Sequence, residues 1–223
     1  MVSSGVNVPL VELINAGIEV NGERLSAGIT FNVTRGEFVC LHGPTGSGKS
    51  LALSMIAGIL RPTFGEVRVA GDCLNNFSER EMAIVRRSMG IMMQECLLLE
   101  NRTILENVML PSLAAEESYG KSRTAAMNAL AKCGIVDLAR ERPGSLSAGQ
   151  KQIACVARAI VNNPLLVLAD EPCAHLDAET AQHLMDLLGE VSLSTVSVIV
   201  ASHLELMPTN IVCRPIMLER APR

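Results

Sequence analysis

Eight consecutive residues constrain this chain more than any other feature: Gly43-Pro44-Thr45-Gly46-Ser47-Gly48-Lys49-Ser50. They fit the pattern G-x-x-x-x-G-K-[S/T] at every fixed position. The apolar, strand-like stretch 37–42 precedes them and an apolar helical stretch, 50–59, follows. Glycines in such a turn let successive backbone N–H groups curl around an anion. The helix that begins there adds a partial positive charge. Lys49 is then placed to reach the β- and γ-phosphates of a nucleotide, and the Ser50 hydroxyl to ligate Mg²⁺. An ordinary glycine-rich turn is the alternative. Four fixed positions coincide by chance in roughly one chain of this length in a hundred, and the strand–loop–helix context lowers that further. The pattern therefore implies that residues 43–50, with Leu51 behind them, bind a nucleoside triphosphate.

A second feature carries chemistry. The continuous apolar run 165–169 ends in Asp170-Glu171. Such a run reads as a strand buried on both faces of a parallel sheet, and ligands in open α/β sheets sit beyond the carboxyl ends of the strands. Asp170 is placed to hold Mg²⁺ and Glu171 to polarise a water as general base. Taken alone, the pair could equally be solvated loop acids. Beside a complete phosphate loop that alternative loses most of its weight.

The rest of the chain fits an α/β domain. Short strand-like stretches (9–14, 18–20, 27–33) open it, with Asn21-Gly22 as a hairpin signal. Strand-like 65–71 and 91–94 follow. Ser78-Glu79-Arg80-Glu81 predicts a capping box opening a helix to about residue 87. Residues 103–140 are helical in character, with breaks expected at Pro111 and Gly120. Ser147 to Gln150 open a helix whose buried stripe is Ile153, Val156, Ala157 and Ile160. A helix over 178–191 and a β-branched strand over 195–200 close the pattern. Strands alternating with helices imply a mostly parallel sheet, with an antiparallel part at the start and a helical part in the middle.

Composition excludes several classes. With 223 residues, 48% of them apolar, the chain can bury a substantial core, and 2% aromatics make that core aliphatic. A net charge of −4 without basic runs argues against nucleic acid as partner. The seven cysteines show no C-x-x-C spacing, so reduced thiols in a cytoplasmic protein are expected. No stretch reaches the ~20 apolar residues of a membrane helix, and no signal peptide is expected.

At Leu146-Ser147-Ala148-Gly149-Gln150 the chain resembles the signature motif of ABC (ATP-binding cassette) ATPases, about twenty residues before the acidic pair. Gln94 looks like the Q-loop glutamine, Leu176-Asp177 like the end of the D-loop, and His203 like the switch histidine. Singly, each has a plain reading: a capping box, a strand end, a helix N-cap, a surface histidine. In this order they identify the chain as similar to that family over nearly its whole length.

The resemblance implies a single ABC ATPase domain over 1–223. A phosphate-loop core and its β subdomain would take about 1–93 and 160–223, and a helical subdomain about 95–160. It further implies that two cassettes pair head to tail, as a homodimer, burying ATP between the phosphate loop of one and the signature of the other. Leu146 to Gln150 would then face the opposite subunit's ATP, with Ser147 and Gly149 on its γ-phosphate. Glu171, His203 and Gln94 would serve catalysis, and Ser50, Gln94 and Asp170 the Mg²⁺. An integral membrane partner, a permease or an FtsX-like subunit, would place the protein on the cytoplasmic face of the inner membrane. Residues 86–87 leading to 90–94, then 98–103, 106–108 and 157–170, most resemble the bacterial group of FtsE, LolD and MacB.

The chain also departs from the pattern. No aromatic stands near residues 18–20, where the family stacks adenine. Ala148 replaces the first signature glycine, Leu51 a common threonine, and Leu204 a common acid; His175 is unusual in its loop. Weakened nucleotide affinity and slow hydrolysis are the expectation. A regulatory module that binds ATP without turnover, and a soluble cassette of translation or DNA repair, are the alternatives.

Overall fold

Three strands are buried at every residue: β5 (Phe38–His42), β9 (Leu166–Asp170) and β10 (Ser197–Ala201). Strands buried on both faces belong in the interior of a sheet covered by helices. The computed structural model, which describes residues 8–21, 23–94 and 97–220, places them there. Their sheet runs β11-β5-β10-β9-β8, with β8 at Met89–Met92 and β11 at Cys213–Met217 on the edges. Every pairing in it is parallel. Alternation along the strands divides the core. Phe38, Cys40, Val167, Ala169, Val198 and Val200 pack on one side with α5 (Ala148–Ile160) and α6 (Ala178–Leu193). Val39, Leu41, Leu166, Leu168, Ile199 and Ala201 pack on the other with α1 (Lys49–Ile56).

That second core is shared with an antiparallel sheet of order β4-β1-β6-β7. Its strands are β1 (Val11–Gly17), β4 (Ile29–Val33), β6 (Phe64–Val69) and β7 (Asp72–Cys73). A short antiparallel pair, β2 (Glu19–Val20) with β3 (Glu23–Arg24), sits where the hairpin was expected; Gly22 of that turn lies outside the described residues. Each fully buried Leu53, Met55 or Ile56 of α1 contributes about 1.5–3 kcal/mol.

Helix starts follow local chemistry. α2 (Glu79–Arg87), α3 (Ile104–Ala114) and α5 each open with a complete capping box, on Ser78, Thr103 and Ser147. The expected breaks at Pro111 and Gly120 are corrected. Pro111 lies inside α3 and Gly120 inside α4 (Tyr119–Lys132), and the chain turns at 115–118 instead. Pro111 falls in the last turn of α3, where only one intrahelical bond is forgone. The strand β11 was not expected at all. Five cysteines carry free thiols, whereas Cys155 is disulfide-bonded, which departs from the expectation of reduced thiols throughout. Among the described residues no helix is long and apolar enough to cross a membrane.

Asn107, fully buried in α3, ties down the segment that precedes that helix. Its amide accepts from Leu99 N at 2.7 Å and donates to the carbonyls of Leu99 and Thr103 at 3.1 and 2.9 Å. Replacing it by Leu, of similar volume, strands buried backbone groups. We expect Asn107→Leu to lower stability by about 3 kcal/mol in urea unfolding; a change under about 0.5 kcal/mol would contradict this account.

Candidate functional site

The parallel register determines which residues meet. Ala201 stands beside Leu41 on one side and Asp170 on the other. The ends of β5, β10 and β9 are therefore level, and the segments beyond them form the floor of a cavity of about 490 Å³. Its lining includes Lys49, Ser50, Gln94, Glu171 and His203, drawn from four separate stretches of sequence. A larger cavity, about 730 Å³, lies along α4 and the end of α5. It is lined by two lysines and no acid or histidine, so it offers no group able to activate water.

The loop between β5 and α1 has the backbone its sequence requires. Gly43, Gly46 and Gly48 have φ of 145°, 81° and 94°, and a Cβ at Gly43 would lie 2.4 Å from the Leu218 carbonyl oxygen. Only glycine fits there. Lys49 is 7% exposed and donates to the carbonyls of Gly43 and Pro44 at 2.7 and 3.2 Å, curling back over the loop. Thr45, Gly46, Gly48 and Leu51 also border the cavity. Among the described residues the buried Ser47 hydroxyl has no hydrogen-bond partner.

Ser50 donates to Asp170 Oδ1 at 2.9 Å. Burial pushes the Asp170 carboxyl above its ordinary pKa, against the pull of the Ser50 hydroxyl and the Lys49 charge, with Glu171 adding repulsion. Glu171 follows at φ 47°, a left-handed backbone that ends the strand. It turns its carboxylate from the Asp170 side to the other face of the sheet. There Oε1 accepts from His203 N at 2.9 Å, and Oε2 lies 2.8 Å from His203 Nδ1 and 3.3 Å from Ser202 Oγ. Gln94 is exposed at the cavity edge.

The signature segment is elsewhere. Leu146 is buried as an anchor, Ser147 and Ala148 are exposed, and none of residues 146–150 lines the cavity. Ser147 accepts from Gln150 N at 3.2 Å, and the Gln150 side chain accepts from Ser147 N at 2.9 Å. Gly149 packs against α6, where an added Cβ would lie 2.4 Å from Thr180 Cγ2.

Four residues in and around the cavity escaped sequence reasoning as site residues. Leu25 borders it in place of an aromatic, and His175, at φ 65°, lines it. Ser202 and His42 stand behind Glu171 on neighbouring strand ends. Adjacency to His203 could have flagged Ser202, and His175 stood out as unusual in its loop; nothing local flags Leu25 or His42.

Thr180 cannot move its methyl easily, because its hydroxyl donates to Asp177 Oδ2 at 2.7 Å. Gly149→Ala should therefore destabilise the fold by about 1–3 kcal/mol. Thr180→Ser in the same chain should recover most of the loss in thermal unfolding. Equal losses with and without Thr180→Ser would refute the contact.

Comparisons with known proteins identify the family and the fold. The ABC transporter family pattern matches residues 26–174. An uncharacterised ABC transporter ATP-binding protein of Mycobacterium tuberculosis is 41% identical over 165 residues, 74% of this chain. The match spans 66% of that relative's own length, just under two thirds. The cell division ATP-binding protein FtsE of Escherichia coli is 36% identical over 82% of this chain and 83% of its own. In structure, the chain resembles the ATP-binding cassette MJ0796, solved as a dimer in a post-hydrolysis state with ADP and Pi. The TM-score is 0.77 at 33% identity, covering 86% of this chain and 88% of that one. A phosphate loop, a following acidic pair and this two-sheet architecture in one chain place it accordingly: it belongs to the ABC transporter family and has the cassette fold of that family's ATP-binding proteins.

Proposed function

We propose that this chain is the ATP-hydrolysing subunit of a membrane complex, working as a head-to-tail pair of cassettes. One observation carries the reading: Lys49, Ser50, Gln94, Glu171 and His203 converge on one cavity, with Asp170 bound to Ser50 at its floor. The residues suit the substrate. The glycine-rich backbone of residues 43–50, the orphaned Ser47 hydroxyl and the buried Lys49 ammonium form an anion cradle. Ser50, Asp170 and the Gln94 amide oxygen form an all-oxygen donor set, which suits a hard divalent cation. Mg²⁺ bound there would neutralise charge on the β- and γ-phosphate oxygens.

The chain's own groups then divide the work. Lys49 holds the β- and γ-phosphates. Glu171 accepts a proton from the attacking water as its oxygen bonds to the γ-phosphorus and the bond to the ADP oxygen breaks. His203 contacts the γ-phosphate, so it must release the Glu171 carboxylate first. Gln94 places the water and reports on the cation. Ser147 and Gly149 do not reach the cavity of their own chain, which supports a second copy as the source of the signature contacts. The whole chain is read as one cassette domain with about 95–160 as its helical part.

FtsE-like relatives and the two exposed leucines, Leu97 and Leu99 (68% and 46%), support an FtsX-like or permease partner docking beside the Gln94 segment. Leu98 between them is core, at 8% exposure, and Cys96, expected with this surface, lies outside the described residues. Such docking would hold the protein at the cytoplasmic face of the membrane.

Phosphate release by the purified chain tests the hydrolytic reading. Glu171→Gln should lower kcat at least ~100-fold while ATP still binds, and in size exclusion it should trap an ATP-dependent dimer. Lys49→Ala should abolish both. Equal turnover by wild type and Glu171→Gln would leave only a regulatory nucleotide-binding module. Leu97→Asp with Leu99→Asp should retain the turnover of the purified chain and remove the protein from native membranes; unchanged recruitment would refute the docking surface.

A further inference from the structure

His42 ends β5 immediately before the phosphate loop, is 6% exposed, and among the described residues has no hydrogen-bond partner on either ring nitrogen. A buried imidazole without a protein partner is costly and calls for a physical reason. Strand register supplies its neighbours. Leu41 pairs with Ala201, and Ala201 with Asp170, so the next residues along these strands, His42, Ser202 and Glu171, stand side by side. The alternation that sends Phe38 and Cys40, and Val198 and Val200, into one core sends His42 and Ser202 to that same face, and Glu171, past the end of β9 at φ 47°, reaches Ser202 through its hydrogen bond.

The Ser202 hydroxyl, 6% exposed, donates to Glu171 Oε2 over a long 3.3 Å and accepts from Leu204 N at 3.0 Å. Glu171 therefore accepts three hydrogen bonds: the Ser202 hydroxyl, His203 N and His203 Nδ1. A carboxylate so occupied is poorly placed to take a proton from water. It must shed donors, and the long bond from Ser202 is the cheapest to break. The freed hydroxyl, buried, then needs another acceptor within reach. His42 is the unpaired acceptor on the neighbouring strand.

We infer that His42 is a positioning residue for hydrolysis: it takes over the Ser202 hydroxyl when Glu171 turns to the attacking water. Ser202 thus has two stations, Glu171 in the resting chain and His42 in the chain poised to hydrolyse. The orphaned ring is the vacant station, and its cost in the resting state lowers the barrier to leaving that state. This rests on Glu171 acting as the base.

Two measurements on the purified full-length chain test it, steady-state phosphate release with MgATP and thermal unfolding without nucleotide. His42→Leu removes the second station and the unpaired ring nitrogens together. We expect kcat about tenfold lower with KM unchanged, and a thermal midpoint at or above that of wild type. His42→Asn or His42→Gln, whichever carries its oxygen where the ring nitrogen accepts, should restore kcat to within about threefold. In a Ser202→Ala background, His42→Leu should change kcat less than about twofold, because the shared hydroxyl is gone. A lower thermal midpoint for His42→Leu would show a ring satisfied in the resting state, for instance by a fixed water, and would overturn the inference. So would an undiminished kcat, or the same loss with and without Ser202. Equal turnover of wild type and Glu171→Gln would instead remove the base assignment beneath it.

Discussion

The Ser50 hydroxyl donates to Asp170 across 2.9 Å and closes the floor of the nucleotide cavity. Its two ends come from opposite parts of the sequence, and β10, between β5 and β9, holds them level. Asp170, at the end of β9, bonds Ser50 at the start of α1, while Glu171, past the strand's end at φ 47°, bonds Ser202 and His203. Two adjacent acids thereby serve two different places. A slip of one residue in β9 would exchange them, moving Glu171 beneath the phosphate loop and Asp170 against the histidine. The aliphatic interior of the sheet fixes that register, because each strand fills a separate core with each of its two faces.

Local chemistry was readable from the sequence wherever one segment suffices. The phosphate loop needs only its glycines, Lys49 and Ser50, and the capping boxes of Ser78 and Ser147 need only residues three apart; all formed as written. The stripe Ile153, Val156, Ala157 and Ile160 is buried as its spacing requires. What depends on neighbours was not readable. Strand β11 contains Pro215 and the exposed Met217, a composition that fits only an edge strand, and nothing within it reveals that β5 will be beside it. Pro111 and Gly120 look like helix breakers when read alone, yet each falls within a turn of a helix end, where the cost of the missing N–H or side chain is small. Among residues 97–99, exposure alternates because Leu98 turns into the core, which needs the third dimension to see. His42 reads as the polar end of a strand; its significance exists only beside Ser202, 160 positions later.

The base end of the cavity shows the same limit. The absence of an aromatic near residues 18–20 was plain, but not what replaces it. Leu25 borders the cavity, while the nearby Arg24 lies over the Phe64 ring at 4.6 Å and pairs with Glu19 at 3.6 Å. The one aromatic in this neighbourhood is thus already covered by a guanidinium. An aliphatic side chain offers a purine contact area without the stacking worth ~1–3 kcal/mol per base. The triphosphate end must then supply a larger share of the binding energy.

The charged groups at that end are already bonded within the chain, which makes binding an exchange. Lys49 is bonded to the carbonyls of residues 43 and 44, Asp170 to Ser50, and Glu171 to His203. Hydrogen bonds to charged groups contribute about 1.5–3 kcal/mol each, so a phosphate gains only the difference at each one. For Lys49 that difference is favourable, since two opposite charges 4 Å apart at an effective dielectric near 20 attract by about 4 kcal/mol. For Asp170 and Glu171 the sign reverses, because a bare triphosphate brings like charge against both. On the proposed assignment, a divalent cation bound with the nucleotide would remove the penalty at Asp170. At Glu171 nothing on the same chain does so except movement of the carboxylate away from His203 and Ser202. On the role proposed for Glu171, the same repulsion that opposes nucleotide entry would draw its carboxylate out of those bonds, so that binding and activation would be one step.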